Sequence, residues 1–450
     1  MKNRQSDILK LLERDQDNAL LRLFELLRIK SISTDPAYAD DCLAASKACS
    51  SLLEELGFAS NVHETTGQPM VLGHFTPKTA SSKLHLLFYG HYDVQPPDPL
   101  EEWHSDPFEP IIKEDPEHGP MIVARGVSDD KGQLMTFLEA LRAILATTGD
   151  LPFKITVLLE GEEECGSPSL EPFLKQHIEE LRADLAIVCD TNQWDRETPA
   201  ITTMLRGLAN IEMTVLGPDR DLHSGYFGGP ARNPLQLICQ ILTKARDENG
   251  HINIPGFYDG IIEPDPAQIE QWNSLGFNSR EFMGSIGLDE PAGEQRRSVL
   301  EQIWSRPTLE INGLIGGYTG PGVKTVIPAK ANAKLSFRLV PGQDPKQILE
   351  SFKCFAKECL PQDCRVEFLN EMGSTAIGFD PTSSPFKAAS KALEEEFGKP
   401  PLMMGCGASI PIVTSFARDL GMNTMLIGFA LAEATGLFGL LISFILLFGV

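Results

Sequence analysis

The segment LHLLFYGHYDVQP, residues 84–96, runs apolar and then presents His91 and Asp93 two positions apart. On an extended strand, residues i and i+2 face the same side, so an imidazole and a carboxylate meet at one place. A carboxylate beside an imidazole fixes the ring's tautomer and orientation, as the outer partner of a metal-ligating histidine does. Three more segments end in a similar way. MIVARG (121–126) is followed by Asp129 and Asp130, ITVLLE (155–160) by Glu162, Glu163 and Glu164, and LAIVC (185–189) by Asp190. Singly, each has a plain structural reading: a solvated histidine after a strand, a turn with an N-cap aspartate, an acidic loop. Jointly they point further. In open α/β sheets the ligand site lies beyond the carboxyl ends of the strands, and so many acids delivered to one edge repel each other unless a cation holds them. Histidine with aspartate and glutamate is a zinc or manganese ligand set. If Glu164 ligates, its neighbour Glu163 points elsewhere and can take a proton from a metal-activated water, which is metal-assisted hydrolysis.

Such strands need a scaffold that buries them. Apolar residues at helical spacing occur in ALLRLFELLRIKSIS (19–33) and CLAASKACSSLLEELGF (42–58), and a helix is expected from about Gln133 to Gly149. Strand-like runs alternate with these helices, which predicts an α/β layer with a mainly parallel sheet flanked by helices. From about Ile201 the pattern changes to half-exposed alternation, as in ANIEMTVLG and AKANAKLSFRLVPG, followed by the helical DPKQILESFKCFAKECL. The expected organisation is a first catalytic part at 1–200, an inserted smaller α+β domain at 201–372, and a return to the catalytic part at 373–450.

Composition narrows the class. In 450 residues, Lys and Arg number 39 against 62 Asp and Glu, a formal charge of −23. That balance argues against nucleic acid or an anionic membrane as partner. The nine cysteines are scattered without a C-x-x-C pair, so neither a disulfide framework nor a cysteine zinc ribbon is indicated. The charged N-terminal MKNRQSDILKLLERDQD lacks the apolar stretch of a signal peptide, which makes the cytoplasm the expected compartment.

Several of these segments, in order, resemble the signatures of the carnosinase-type dinuclear zinc dipeptidases and their relatives, which include carboxypeptidase G, acetylornithine deacetylase, succinyl-diaminopimelate desuccinylase and aminoacylase. They are GHYDVQPP, ARGVSDDKGQL, LEGEEECGS, VCDT, RGLANIEMTVLGPDRDLHSGYFGG, GVKTVIPAKANAKLSFRLVPG and GCGASIPIV. The resemblance implies two divalent ions, with zinc expected and manganese or cobalt as alternatives. It implies His91 and Asp190 on one ion, Asp129 bridging and Glu164 on the second, Glu163 as general base and acid, and Asp93 as the partner of His91. It also implies that the inserted domain is a lid that forms a homodimer, in which His223 reaches the other subunit's active site and steadies the developing oxyanion. Thr325, Arg338 and Ser409 match substrate-contacting positions, the arginine suited to a bidentate grip on a terminal carboxylate.

The match departs from the family pattern near its end. The family places a last metal-ligating histidine after the strand matching MLIGFAL, but no histidine follows His251, and Leu437 falls near the expected position. Ala434–Val450 carries no charge, a length at the lower limit of roughly 17–25 residues for a membrane span and without the basic flank of an anchor; an altered terminus is the favoured reading. Glu433 is the nearest substitute ligand. The second metal site is therefore expected to be weakened. The predicted activity is hydrolysis of the amide of a dipeptide or short peptide-like substrate with a free carboxylate. The rivals are an N-acyl amino acid deacylase and a catalytically impaired relative.

Overall fold

The computed structural model describes residues 2–79, 82–116, 119–191, 193–195 and 197–427. The chain divides into two compact units. One takes the residues up to Thr203, Phe379–Met403 and those from Pro411 onward, and the other takes Met204–Gly378 with Met404–Ile410.

In chain order the first unit holds strands β1 (Ala59–His63), β2 (Met70–Phe75), β3 (His85–His91), β4 (Ile111–Asp115), β5 (Gly119–Val123), β6 (Lys154–Glu160), β7 (Leu185–Val188) and the start of β8 (Ala200–Leu205), with a last strand at Asn423–Ile427. Its sheet runs β1, β2, β6, β3, β7, the 423–427 strand and β8. The middle of the sheet is parallel: β6 with β3, β3 with β7, and β7 with the 423–427 strand. Antiparallel pairs close both sides. This is the α/β class expected, because strands buried on both faces must be apolar almost throughout, and β3, β6 and β7 are. The parallel register sets His91 beside Glu160 and Tyr89 beside Val188, so these strands end level with one another.

One expectation is corrected. MIVARG does not supply a strand to this sheet: among the described residues β5 pairs only with β4, in a separate two-stranded hairpin. Its residues are half-buried at best, and a strand with one wet face has no place in the middle of a parallel sheet. Asp129 and Asp130 instead stand at the head of helix α3, defined below.

Three helices of this unit matter most: α1 (Lys2–Leu27), α2 (Ala39–Glu55) and α3 (Lys131–Thr148). Helix α3 is buried on nearly every face of its first three turns, and Phe137 stacks on Phe88 of β3 with centroids 3.7 Å apart. The helical spacing over 19–33 overshoots, because α1 ends at Leu27. The reason is a buried cation. Lys131 is wholly buried, and its Nζ donates to Leu26 O at 3.2 Å and Ile29 O at 2.7 Å. Both carbonyls also accept from backbone, Leu26 O from Ile29 N and Ile29 O from Ser31 N, and a positive charge at the C-terminal end of a helix favours its dipole. The chain then turns to lie beside the end of β3, with Val94 N donating to Ser31 O.

In the second unit, strands β9 (Gly207–Leu216), β10 (Leu222–His223), β11 (Thr308–Gly316), β12 (Val326–Ile327), β13 (Lys330–Leu339) and β14 (Arg365–Ser374) follow. Four form an antiparallel sheet in the order β11, β13, β9, β14. Burial alternates strictly along β9, the mark of a sheet with one covered face. The helices Pro234–Ala245 and Pro345–Glu358 supply that cover, with Ile238, Ile241, Ile348 and Phe352 packed among Ile211, Met213, Leu335 and Phe337.

Among the described residues no helix is long and apolar enough to cross a membrane. Ala434–Val450, Glu433 and Leu437 lie outside the described residues.

Lys131→Met is expected to lower stability by about 1.5–3 kcal/mol, the contribution of a hydrogen bond from a charged donor. Urea unfolding followed by circular dichroism measures it, and an unchanged midpoint would remove Lys131 as the cap of α1.

Candidate metal centre

The level strand ends bring the chemistry together. His91 is the last residue of β3 and is fully buried. Its Nδ1 lies 3.1 Å from the carbonyl oxygen of Asp93 and 3.3 Å from Asp93 Oδ1. Its Nε2 lies 2.9 Å from Asp129 Oδ1. Asp190 follows β7 by two residues, and one ligand atom each from His91, Asp129 and Asp190 falls within 4.8 Å of the others. Asp93, equally buried, accepts from Ser33 Oγ at 2.6 Å, Glu164 N at 3.1 Å and Glu163 N at 3.3 Å. One carboxylate thus orients the imidazole and also holds the turn that carries both glutamates. That turn is a single 3₁₀ winding, Glu163–Cys165, ended by Gly166 at φ 88, a backbone conformation that glycine adopts without cost.

The donor chemistry fits a divalent ion. With Nδ1 donating to Asp93, Nε2 presents a lone pair to a carboxylate oxygen, and two acceptors face each other only with a proton or a cation between them. Three ligand atoms within 4.8 Å suit an ion with bonds of about 2.0–2.2 Å. Electrostatics agree. Burial pushes Glu163 up to about 8, with Asp190 and Glu164 adding to the rise. Burial also raises Asp190 and Glu164, each with Asp129 contributing. Asp130, fully buried, is raised well above the usual carboxylate range, first by burial and then by Asp190. Burial alone would lower His91, but its bonds to Asp129 and Asp93 override it and hold the imidazole well above its ordinary value. Asp129, whose side chain is 62% exposed, is lowered by that same bond. Negative charge is in excess here, and a bound cation relieves it.

The neighbouring acids are not equivalent. Glu162 caps backbone, accepting from Gln68 N at 2.8 Å and Ser169 N at 3.0 Å, and takes no part in the cluster. Asp130 Oδ2 accepts from His91 N at 3.0 Å, while its buried Oδ1 has no partner among the described residues. Glu164 Oε2 accepts from Gln95 Nε2 at 2.8 Å.

The other expected residues lie in the second unit, in two pairs. His223, exposed at the end of β10, has Nδ1 accepting from Gly225 N at 3.0 Å and Nε2 3.2 Å from Thr325 Oγ1. The pairing of β10 with β12 brings those two segments side by side. Arg338 on β13 donates from Nη1 to Ser409 Oγ at 3.4 Å.

Sequence reasoning passed over Ser33, Gln95 and Arg206. Gln95 had a signal: His91, Asp93 and Gln95 continue one period of two. Ser33 had none, since it meets Asp93 only through the path that the chain takes after α1.

Comparison with known proteins identifies the family. The Cys-Gly metallodipeptidase DUG1 of Candida albicans is 30% identical over 427 residues, which cover 90% of this chain and 86% of that protein. The human Beta-Ala-His dipeptidase is 30% identical over 349 residues, 76% of this chain and 68% of that protein. Among solved structures, the M20 family metallo-carboxypeptidase Sso-CP2 from Sulfolobus solfataricus superposes with a TM-score of 0.80 at 29% identity, covering 96% of this chain and 99% of that one. Residues 87–436 match the model for peptidase family M20/M25/M40, and the chain belongs to that family.

Proposed function

We propose that this chain is a metal-dependent dipeptidase, hydrolysing the amide bond of a dipeptide or similarly short substrate with a free carboxylate. The observation that carries the reading is the convergence of His91, Asp129 and Asp190 within 4.8 Å, at the end of a sheet that also presents the half-buried pair Glu163 and Glu164. His91, Asp129 and Asp190 would hold one divalent ion, zinc being the expected one and manganese or cobalt the alternatives. Asp129 is the carboxylate suited to be shared with a second ion, which Glu164 would serve. That second site has two carboxylates and no imidazole, so it is the weaker. When bound, such ions polarise the scissile carbonyl and bring a water's pKa toward about 7.

The chain's own groups supply the rest. Glu163 takes the proton of the attacking water and delivers it to the leaving amine, the work of one general base turned acid. Asp93 fixes the tautomer of His91, and by accepting from Glu163 N and Glu164 N it also fixes the turn that aims the base. Arg338, with Ser409 beside it, holds the substrate's terminal carboxylate by charge-assisted hydrogen bonds.

His223 would act in a homodimer, reaching the other subunit's site to steady the developing oxyanion, with Thr325 orienting its ring. The dimer's surface would be the open edge strand β11, where Ile311 is 53% and Ile315 58% exposed. An unpaired apolar edge strand invites pairing with another chain.

Three outcomes follow. Glu163→Gln is expected to keep bound metal, by elemental analysis, while kcat on a dipeptide panel falls about 10²–10⁴-fold, the range for a lost general base; a parental rate would exclude Glu163 as the proton carrier. Asp93→Asn is expected to weaken metal affinity about 10–100-fold in a chelator competition, and unchanged affinity would detach Asp93 from His91's role. Ile311→Asp combined with Ile315→Asp should convert a dimer to a monomer by light scattering and lower turnover with it. A fully active monomer would end the case for His223 acting across subunits.

A further inference from the structure

The second unit carries a cavity of about 440 Å³ whose walls include Arg206, Arg246, Arg306 and Arg338, against Glu294 and Glu310. In a chain of formal charge −23 this is an unusual concentration of cations, and the acids do not cancel it. Glu294 is taken by Arg306, which also pairs with Glu263. That leaves Arg206, Arg246 and Arg338 facing one exposed carboxylate, Glu310. Among the described residues none of these three arginines forms an ion pair.

Their donors are also underused. Among the described residues Arg246 donates only from Nη2, to Ala292 O, and Arg338 only from Nη1, to Ser409 Oγ. Arg206 spends Nε on Gly407 O at 2.9 Å and Nη1 on Gln302 O at 3.5 Å, and its Nη2 has no acceptor among the described residues. Its backbone N bonds Ala408 O and Cys406 O. Gly407 lies so close that a Cβ there would stand 3.0 Å from Arg206 Nη2. Arg206 therefore fastens the loop that leads to Ser409, and Ser409 touches Arg338. Burial first, and then the like charge of Arg338, pull Arg206 down to about 10. Half-buried guanidiniums with free N–H groups, kept close together against their own repulsion, are suited to a small oxyanion, and the planar fork of arginine matches a carboxylate in particular.

We propose that this cavity is a second anion subsite, which takes the side-chain carboxylate of a dipeptide whose terminal carboxylate is held at Arg338 and Ser409. The inference rests on the dipeptidase reading above and adds a substrate class to it: dipeptides with an acidic C-terminal residue. Arg246, which lines the cavity and bonds Ala292 O from Nη2 alone among the described residues, is the residue that reads the side chain, and Arg206 is a positioning residue for the Ser409 loop that also lends its free Nη2.

The test compares Ala-Glu with Ala-Gln, which differ only in that charge, on the metal-loaded enzyme and on Arg246→Met. The expected ratio of kcat/KM values favours Ala-Glu at least about tenfold, and it falls toward one in Arg246→Met. A parental ratio near one, or a preference that survives Arg246→Met, overturns the proposal. A second readout needs no turnover and no variant. Glutarate, a dicarboxylate with no scissile bond, is expected to raise the Tm of the metal-free chain more than butyrate does, and equal effects overturn the subsite. Inorganic phosphate separates the sources of the anion, since a rise with phosphate and none with glutarate would make this a free-phosphate site and also overturn the assignment. Should no dipeptide be hydrolysed at all, the dipeptidase reading fails by itself, and the glutarate comparison still decides the cavity.

Discussion

The structure depends on one electrostatic constraint: carboxylates are gathered at the end of a buried sheet with too little positive charge among their neighbours. Glu163, Glu164, Asp130 and Asp190 are all raised by burial first and then by neighbouring carboxylates. The cation nearest in sequence does not answer them. Lys131 directly follows Asp130, yet its hydrogen bonds go to the carbonyls that end α1. An arrangement of this kind is costly unless something else compensates it, and the lone pair of His91 Nε2 is aimed into the same place. Membership of a peptidase family supplies the natural compensation, a bound divalent ion.

Rigid supports hold that cluster in place. The imidazole stands at the end of a strand buried on both faces, and Asp93 is pinned by a serine hydroxyl and two backbone amides at once. Because Asp93 bonds both His91 and the turn of Glu163 and Glu164, the ligand and the base share one support. A shift of the turn is felt at the imidazole, and this coupling fixes their mutual geometry better than separate loops could. Ser33 enters only because α1 stops at Leu27, and α1 stops where Lys131 satisfies its carbonyls. The end of a helix far away in sequence thus belongs to the support of the site.

What was legible in the sequence follows from the same physics. The apolar runs of β3, β6 and β7 are dictated by burial on both faces, so they could be read directly, and so could the polar residues placed just beyond their ends. The hairpin strand β5 was misread because MIVARG is apolar enough for a core strand, while its half-exposed setting depends on its pairing with β4 and on nothing local. Gln95 was legible in principle from the period of two that it shares with His91 and Asp93. Ser33, the cap made by Lys131 and the hold of Arg206 on Gly407 were not, because each joins residues from 60 to 201 positions apart through contacts that carry no periodic pattern.

The two candidate sites gather opposite charges, carboxylates in one unit and arginines around a cavity of the other, and the proposed reaction gives a use for both. Hydrolysis of an amide calls for cations beside the carbonyl oxygen and for a base, so the metal-holding unit must be rich in carboxylates. Recognition of a free carboxylate calls for guanidiniums with unspent donors. In one chain of −23, placing both sets among the same residues would let them neutralise each other as salt bridges. Segregation prevents this. Arg206, Arg246 and Arg338 sit on the unit built around an antiparallel sheet, and the acids sit at the ends of the parallel strands of the other. On the reading proposed above, the arginines keep free N–H groups for the same reason that the acids lack a cation: neither set finds its counter-charge among its neighbours, and each would then be left for a ligand.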